Sequence, residues 1–519
     1  LPDAGAQDPL AEYGIANVKT SSTDKDASSA FLKYADFSHY ADCFNGMEDE
    51  NVVQAIPNAK ASEWMEENIP LFECPQHNFE EMYYYRWWSL RKHIKETPVG
   101  YGMTEFLVQR SYSDKYNLIA CAIGHHIYES RWLRDPKYLD QIIHTWYRGN
   151  DGGPMKKMDK FSSWNADAVL ARYMVDGDKD YLLDMKKDLE TEYQRWERTN
   201  RLKNGLYWQG DVQDGMEESI SGGRRKKYAR PTINSYMYGN AKALSCIGIL
   251  SGDEGMAMKY GMRADTLKNL VENELWNTRH QFFETMRTDS SANVREAIGY
   301  IPWYFNLPDT TQKYEIAWKE IMDEKGFSAP YGLTTAERRH PEFRTRGVGK
   351  CEWDGAIWPF ASAQTLTAMA NFMNNYPQTV LSDSVYFRQM ELYVESQYHR
   401  GRPYIGEYLD EVTGYWLKGD QERSRYYNHS TFNDLIITGL IGLRPRLDNT
   451  IEVNPLIPAD KWDWFCLDNV LYHGHNLTIL WDKNGDRYHC GKGLRIFVDG
   501  KEVGQANTLT KIVCENALK

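Results

Sequence analysis

The chain has 519 residues, a formal net charge of −12, and a high aromatic content of 17 Trp, 35 Tyr and 18 Phe. The acidic balance argues against nucleic acid as the main partner, because phosphate binding needs a basic face. The mean hydropathy is −0.66, and the longest apolar run (residues 432–443) is short and interrupted, so no transmembrane segment is predicted. The aromatic content is also the opposite of the composition of a disordered chain.

Residues 1–70 are rich in Ala, Asp and Ser, which predicts an irregular N-terminal segment with a few short helices. The first residue is Leu rather than Met, so we expect processing from a longer precursor and a periplasmic or secreted location. Eight cysteines are scattered without a Cys-x-x-Cys pair, which argues against a zinc ribbon, a thioredoxin motif and a disulfide scaffold. We expect most of them to be small buried side chains.

Residues 74–443 have a mainly helical pattern. In residues 181–200, large apolar side chains recur every three or four positions, which places them on one face of a helix. That face consists of Leu182, Met185, Leu189, Tyr193 and Trp196. Residues 361–373 show a second pattern of this kind.

A weak internal repeat relates residues 135–140 to residues 178–182, at an offset of 43 residues. Each copy has an acidic residue where the helix dipole favours it, followed by a Tyr-Leu pair. A period of this length with two helices is typical of stacked helical hairpins. The spacing fits a closed ring of six hairpins, and an open solenoid fits it equally well.

The pattern changes to alternation after residue 443. An Asn-Gly and an Asp-Gly dipeptide each lie between two apolar-rich runs. Both dipeptides favour the type I′ turns of β-hairpins. The predicted hairpins are residues 477–489 around Asn484-Gly485 and residues 494–503 around Asp499-Gly500. We therefore predict a small β-sandwich-like cap in residues 446–519, with a structural role.

The segment of residues 207–219 follows a predicted helix end and holds several carboxylates and two large aromatic residues, Tyr207 and Trp208. Catalytic groups concentrate in loops on rigid scaffolds. A sugar offers C–H faces that stack on aromatic rings and hydroxyl groups that bond to carboxylates, so this mixture suits a sugar pocket. A solvated acidic loop with a packed Trp is an equally good interpretation.

Two later segments, residues 351–359 and 404–414, again place acids among aromatic residues ahead of helices. Two acidic loops far apart in sequence are what glycoside hydrolysis needs. One carboxylic acid protonates the leaving oxygen, and the other carboxylate activates water or attacks carbon.

Four short motifs occur in a fixed order: Asp-Gly-Met-Glu at 214–217, Pro-Tyr-Gly-Leu-Thr-Thr at 330–335, Trp-Asp-Gly-Ala-Ile-Trp-Pro at 353–359, and Glu-Tyr-Leu-Asp-x-x-Thr-Gly at 407–414. This order resembles the (α/α)6-barrel glycosidases, chiefly glycoside hydrolase family 63 and the mannosylglycerate-hydrolase-like proteins, and more distantly the trehalases. The resemblance covers about residues 75–445. It implies a mainly α protein in which residues 71–445 form an (α/α)6 toroid of helical hairpins.

The resemblance also implies a glycosidase, inverting and exo-acting on α-linked gluco- or manno-configured oligosaccharides. In those families the general acid is an Asp that ends a Ser-Gly-apolar-Asp motif, and the general base is a Glu that opens a Glu-x-Tyr-like motif. By position, Glu217 is then the acid and Glu407 the base. Inversion predicts that the two carboxyl groups lie roughly 6.5–9.5 Å apart, against about 5 Å for retention.

The sequence departs from the family pattern at two places. The acid position holds Glu217 instead of Asp, which leaves Asp214 as a rival acid. Family members grip the sugar with a Trp-Asp pair in the first barrel helix, whereas here Trp88 is followed by Ser89, which affects the expected sugar specificity.

Further residues near these motifs are candidate substrate ligands. Arg230 and Asn234, which follow the acid loop, are candidates to bond hydroxyl groups, with helix capping and a surface Arg as the alternative. Candidate sugar platforms or hydroxyl partners, each with plain packing as the alternative, are Trp164, Trp208, Asp211, Trp353, Asp354, Trp358, Tyr404 and Tyr427. We expect no cofactor and no catalytic metal, since His125 and Glu129 alone supply too few ligands, and a structural calcium stays open.

Three other functions compete with hydrolysis. A phosphorylase of the same fold needs a basic phosphate pocket where Glu407 lies. A uronate polysaccharide lyase would use residues 426–429 (Tyr-Tyr-Asn-His) for proton abstraction. A non-catalytic glycan-binding protein would keep sugar binding after loss of both carboxylates.

Overall fold

The computed structural model of the chain describes residues 31–311 and 313–519. Within them the α-helices are α1 (Ser38–Asn45), α2 (Ala61–Asn68), α3 (His77–Lys92), α4 (Ile123–Ser130), α5 (Lys137–Arg148), α6 (Asn165–Asp176), α7 (Lys179–Asn200), α8 (Pro231–Ser251), α9 (Glu254–Leu270), α10 (Ile301–Tyr304), α11 (Pro359–Asn375), α12 (Asp383–Ser396) and α13 (Asn433–Leu435). Two π-helical segments, Val271–Leu275 and Ile436–Leu440, continue α9 and α13.

Six of these helices form a closed ring. Contacts run from α4 to α6, α8, α10, α11 and α13 in turn, and α13 contacts α4 again. The helices that follow along the chain, α5, α7, α9 and α12, each pack against the ring helix before them. The predicted (α/α)6 toroid is therefore confirmed, and the contact between α13 and α4 excludes the open solenoid.

The outer helix α7 shows why the sequence forms this layer. Its buried side chains are Leu182, Met185, Leu189, Tyr193, Trp196 and Asn200, which include the whole predicted apolar face. Asp178 caps the helix by accepting the Tyr181 N–H at 3.0 Å, which satisfies a free donor of the first turn. The predicted helix at 361–373 is α11.

The ring closes through a carboxylate from α4 that caps α13. The Glu129 side chain accepts the backbone N–H groups of Phe432, Asn433 and Asp434 at 2.8–3.1 Å. In return, the Arg131 guanidinium, just after α4, forms an ion pair of 2.8 Å with Asp434. The bonds to Glu129 satisfy the free N–H donors at the start of α13. Together with the ion pair, they make the position of α13 depend on α4.

The C-terminal part contains a five-stranded antiparallel sheet. Its strand order is Leu71–Glu73, Trp464–Tyr472, His475–Asp482, Gly493–Val498 and Lys501–Ala506. The edge strand Leu71–Glu73 comes from the residues just before α3 and ties the sheet to the ring. A separate pair joins Ile451–Val453 to Ile512–Cys514.

One of the two predicted hairpins is present, and the prediction of the other is wrong. Asp499 and Gly500 have φ values of 48° and 78° and join two paired strands, as the Asp-Gly turn predicts. The other run, residues 487–489, is not a strand. The Asp482 carboxylate accepts the N–H groups of Gly485, Arg487 and Tyr488 at 2.8–3.0 Å and folds this segment into a loop.

The described part of the predicted irregular segment 1–70 contains α1 and α2, and residues 1–30 lie outside the described residues. All eight cysteines lie within the described residues and are free; Cys74, Cys246, Cys466 and Cys514 are buried, and Cys43 is exposed. Across residues 31–311 and 313–519, no helix is both long and apolar enough to span a bilayer.

Candidate active site

Loops that precede ring helices bring three carboxyl groups together at one end of the ring. Glu105 lies ahead of α4, Glu217 ahead of α8 and Glu407 ahead of α13. The Glu217 loop packs closely against Cys121. A Cβ atom added to Gly215 in this loop would lie only 3.5 Å from the Cys121 side chain. The backbone N–H of Asn428 donates to the Glu105 carbonyl at 2.9 Å, and this joins the first loop to the segment that leads into α13.

Glu217 is half-buried, and burial raises the pKa of its carboxyl group to about 7, with the negative charges of Glu407 and Asp211 adding to the shift. The next residue, Glu218, has a left-handed φ of 68° and pairs with Arg224 at 2.8 Å. The turn therefore directs the Glu218 carboxylate to Arg224, whereas the Glu217 carboxyl group lies near the charges of Glu407 and Asp211. A carboxyl group with a pKa near 7 is partly protonated at neutral pH, which is the form that a general acid needs.

Glu407 is buried between two cations. Its Oε2 atom lies 3.3 Å from Lys418 Nζ and 3.2 Å from Arg423 Nη2. The Lys418 ammonium also lies 4.9 Å from the centre of the Tyr408 ring. The sequence prediction missed both cations, which follow Glu407 in a charged loop without a recognisable motif.

Glu105 is the third carboxyl group of the site and was also missed. It is buried, it accepts a hydrogen bond of 3.1 Å from the Cys121 thiol, and the Tyr427 hydroxyl contributes a second hydrogen bond. Burial raises the pKa of Glu105 to about 7, and the charges of Glu407 and Glu217 add to the effect. Its sequence context, between Thr104 and Phe106 after the short strand Gly100–Met103, has no cluster of acids that would signal a site.

Asp214, the rival acid, lies in a fully buried network. It forms an ion pair of 2.6 Å with Arg230, and it also accepts hydrogen bonds from the hydroxyl groups of Ser162 and Thr232. Neither Asp214 nor Arg230 has side-chain contact with solvent. The geometry gives both residues a structural role: they connect the acid loop to the start of α8.

Three other polar candidates hold backbone groups. The Asn234 side chain bonds to both the N–H and the carbonyl of Tyr207, at 2.8 and 2.9 Å. Asp354 accepts the N–H groups of Arg346 and Gly347 at 2.6 and 2.9 Å. Asp211 accepts the N–H of the next residue at 2.8 Å, and burial raises the pKa of its carboxyl group. These side chains shape the loops of the site.

Three aromatic residues stack beside the carboxylates. The Trp353 and Trp358 rings are 4.5 Å apart, and the Trp358 and Tyr408 rings are 4.6 Å apart, each pair nearly parallel. All three rings are buried. The flat faces of Trp353 and Trp358 are therefore packed against each other. Two other predicted platforms are engaged elsewhere: Tyr404 packs on Trp416, and the Trp208 ring faces Lys227 Nζ at 4.4 Å.

Trp164 and Tyr427 lie deeper in the ring. Trp164 is fully buried at the start of α6, with its ring against His125 and Phe360. Tyr427 is buried between Phe106 and His429, with ring distances of 4.5 and 4.1 Å. These buried rings belong to the packed interior of the ring.

Comparison with known proteins agrees with this architecture. Residues 115–430 match the mannosylglycerate hydrolase MGH1-like glycoside hydrolase domain, and residues 443–504 match the C-terminal domain of glycosyl hydrolase family 65. A structure named sialidase is 94% identical, with a TM-score of 0.94, and covers 97% of this chain. This chain spans only 46% of that protein, about half of its length.

More distant structures share the fold. The GH63 mannosylglycerate hydrolase from Thermus thermophilus, solved in complex with glucose, is 13% identical with a TM-score of 0.53, and the match covers 69% of this chain and 99% of that one. A GH78 family rhamnosidase of Bacillus sp. GL1 is 11% identical with a TM-score of 0.57, covering 83% of this chain and 41% of that one. With the family match extending over more than half of its residues, the chain belongs to the MGH1-like glycoside hydrolases.

Proposed function

We propose that this chain carries the catalytic site of an inverting, exo-acting glycosidase of α-linked gluco- or manno-configured oligosaccharides, with Glu217 as general acid and Glu407 as general base. The observation that carries the proposal is that two carboxyl groups of unlike surroundings lie near each other, because the charge of Glu407 adds to the raised pKa of Glu217. One of them has its pKa raised to about 7 by burial, and the other is ion-paired with Lys418 and Arg423. Environments this different suit an acid and a base.

In the proposed reaction, the Glu217 carboxylic acid donates its proton to the glycosidic oxygen as the bond to the anomeric carbon breaks. Glu407 takes a proton from a water molecule, whose oxygen attacks the anomeric carbon from the opposite face. The products are a sugar of inverted configuration and a free alcohol, with Glu217 ionised and Glu407 protonated until protons exchange with solvent. The buried carboxyl group of Glu105 is then available to bond a sugar hydroxyl.

The filled interior of the ring is consistent with exo-action. Trp164, Phe360 and Tyr427 are buried and pack inside the ring, so a polysaccharide chain cannot thread through its centre. The Thermus thermophilus mannosylglycerate hydrolase, solved with glucose, supports gluco- and manno-configured sugars as the first substrates to test.

The test is a reducing-sugar screen over α-linked oligosaccharides, followed by proton NMR of the first-formed anomer. We expect release of single sugars, with the β-anomer appearing first. First appearance of the α-anomer contradicts inversion, and release of internal fragments contradicts exo-action. Sialyl-lactose belongs in the same panel, because the 94% identical protein is named sialidase. Hydrolysis of sialyl-lactose would show that this chain has sialidase activity.

A phosphorylase is the second candidate, and Lys418 and Arg423 favour it. Both cations lie beside Glu407, where a phosphorylase would hold phosphate. The presence of Glu407 between them supports hydrolysis, because its carboxylate already occupies the charged position. Sugar release that depends on inorganic phosphate and yields a sugar 1-phosphate would favour the phosphorylase.

A further inference from the structure

A second cavity, of about 180 Å³, lies at the opposite end of the ring from the candidate active site. It is lined by the C-terminal parts of α4 and α11, by one side of α6 from Asp167 in its first turn to Met174, and by residues 444–446, which lead into the C-terminal sheet. Trp358 precedes α11 at the active-site end, and Asn371 lines the cavity. A helical rise of 1.5 Å per residue places these two residues about 20 Å apart.

Aromatic rings separate this cavity from the candidate active site. The Trp164 ring lies 5.9 Å from Tyr304 and 6.2 Å from Phe360, between ring centres, and Tyr304 lies 5.5 Å from Tyr128. Tyr304 and Tyr128 line the second cavity on its side of this layer. A molecule in the second cavity is therefore out of reach of Glu217, and any role of this cavity is one of binding rather than of catalysis.

The walls of the cavity carry a carboxyl group and a guanidinium whose hydrogen bonds go to uncharged groups. Asp167 accepts the Tyr128 hydroxyl at 2.7 Å. Arg444 donates to the Thr438 carbonyl at 3.0 Å and to the Asn371 amide oxygen at 2.6 Å. Asp167 thus offers a hydrogen-bond acceptor to the cavity and Arg444 offers donors. The two side chains do not form an ion pair with each other.

The other charges of this region are already paired. The Arg131 guanidinium holds Asp434 at 2.8 Å, and Arg446 holds Glu452 at 2.9 Å. Burial raises the pKa of Asp167 to about 7, so this carboxyl group can accept or donate a hydrogen bond near neutral pH. A neutral molecule with several hydroxyl groups satisfies such a lining better than an ion does.

The volume of the cavity limits the ligand to one ring. An apolar cavity of about 150 Å³ in another protein accepts benzene, so a cavity of 180 Å³ holds one six-membered ring. Polar walls favour a hydroxylated ring over a hydrocarbon, and the aromatic faces of Tyr304 and Phe305 suit its C–H groups.

We propose that this cavity is a second binding site, for a single neutral cyclic polyol of pyranose size, bonded by Asp167 and Arg444. The site lies where the ring meets the segment leading to the C-terminal sheet, so its occupant stabilises that junction by mass action. This inference goes beyond the proposed hydrolysis and does not depend on turnover.

The test uses the full chain with Glu217→Gln, titrated with D-glucose, D-mannose and myo-inositol in a calorimeter. Ala171 lines the cavity on α6, so Ala171→Leu fills it, whereas Ala171→Ser keeps the space. We expect one binding event to disappear in the Leu variant and to remain in the Ser variant. Identical isotherms for the Leu and Ser variants would overturn the proposal.

A second variant and a direct observation cover the case in which Ala171→Leu does not fold. Asp167→Asn keeps the volume and removes the charge, and we expect it to weaken the same binding event at least tenfold. Crystals of the parent soaked with each of the three compounds should show ring-shaped density between Asp167 and Arg444. Density for water alone with all three compounds would refute the site, whatever the result of the glycosidase assays.

Discussion

Asp214 and Arg230 form an ion pair of 2.6 Å in which neither side chain contacts solvent. Breaking a buried pair by removing one charge costs about 3–5 kcal/mol, because the other charge stays buried without compensation. Asp214→Asn should therefore lower the free energy of unfolding by about this amount, as measured by urea denaturation. Asp463→Asn, which breaks the exposed pair with Lys483, is the matched control and should change stability little. Equal effects of the two substitutions would contradict the structural role of Asp214.

Glu217→Gln and Glu407→Gln should each lower kcat by about 10²–10⁴-fold, the usual contribution of a positioned acid or base. Both variants should keep the far-UV circular dichroism of the parent. Glu218→Gln is the matched control, because this neighbouring carboxylate is bonded to Arg224 and should be dispensable within a few-fold. Near-normal activity of Glu217→Gln together with a dead Asp214→Asn that still folds would make Asp214 the acid.

The activity should fall as the pH rises through about 7. The proposed acid must be protonated, and burial raises the pKa of Glu217 to about 7, so the protonated fraction declines above that pH. Glu105→Gln removes a neighbouring carboxylate and should move this alkaline limb to lower pH, because less negative charge then opposes ionisation of Glu217. The measurement is kcat/KM against pH for both proteins. An unchanged alkaline limb in the variant would mean that Glu105 does not influence the acid.

Glu105→Gln should also stabilise the protein at high pH. The pKa of Glu105 is about 7 in the folded chain, against an ordinary value of 4.5 for a Glu side chain, so folding disfavours its ionised form. The parent therefore loses stability, relative to the Gln variant, as the pH rises from about 4.5 to 7. The difference should be on the order of 3 kcal/mol at pH 8 and near zero at pH 4 in parallel urea titrations. An equal difference in the free energy of unfolding between the two proteins at both pH values would show a packing effect instead.

Gly124→Ala should destabilise the chain by about 1–3 kcal/mol through overpacking. A Cβ at this position would lie 2.1 Å from the Trp164 indole, which is itself held among other rings. Gly255→Ala in α9 is the matched control, since its nearest neighbour would be 3.6 Å away. Because Ala forms helices better than Gly, the control should be neutral or slightly more stable in thermal denaturation.

Much of the ring was predictable because its helices obey local rules. The buried face of α7 follows directly from the spacing between Leu182 and Trp196. The hairpin at Asp499-Gly500 formed because Gly493–Val498 pairs with Lys501–Ala506 on one side and is held by His475–Asp482 on the other. The hairpin at Asn484-Gly485 failed because the Asp482 carboxylate bonds the following N–H groups, a local competition that hydrophobic alternation does not reveal.

The site was predictable only in part. The motifs led to Glu217 and Glu407, which lie in the two acidic loops that the sequence singled out. Glu105, Lys418 and Arg423 have no motif, because their function depends on contacts between distant loops. Sequence also does not show whether a polar side chain bonds to backbone or to a substrate, and the predicted ligands Asn234 and Asp354 bond to backbone groups in the structure.

The bond between Glu129 and the start of α13 also has a consequence for synthesis of the protein. The two partners are separated by about 300 residues, so the ring stays open until the last ring helix has left the ribosome. Until then, α4 exposes a carboxylate with no helix to cap, and the apolar faces of the ring helices lack their last neighbour. Nascent chains that stop before residue 432 should therefore depend on chaperones, and shortening the chain at this point should yield aggregates rather than a smaller folded barrel.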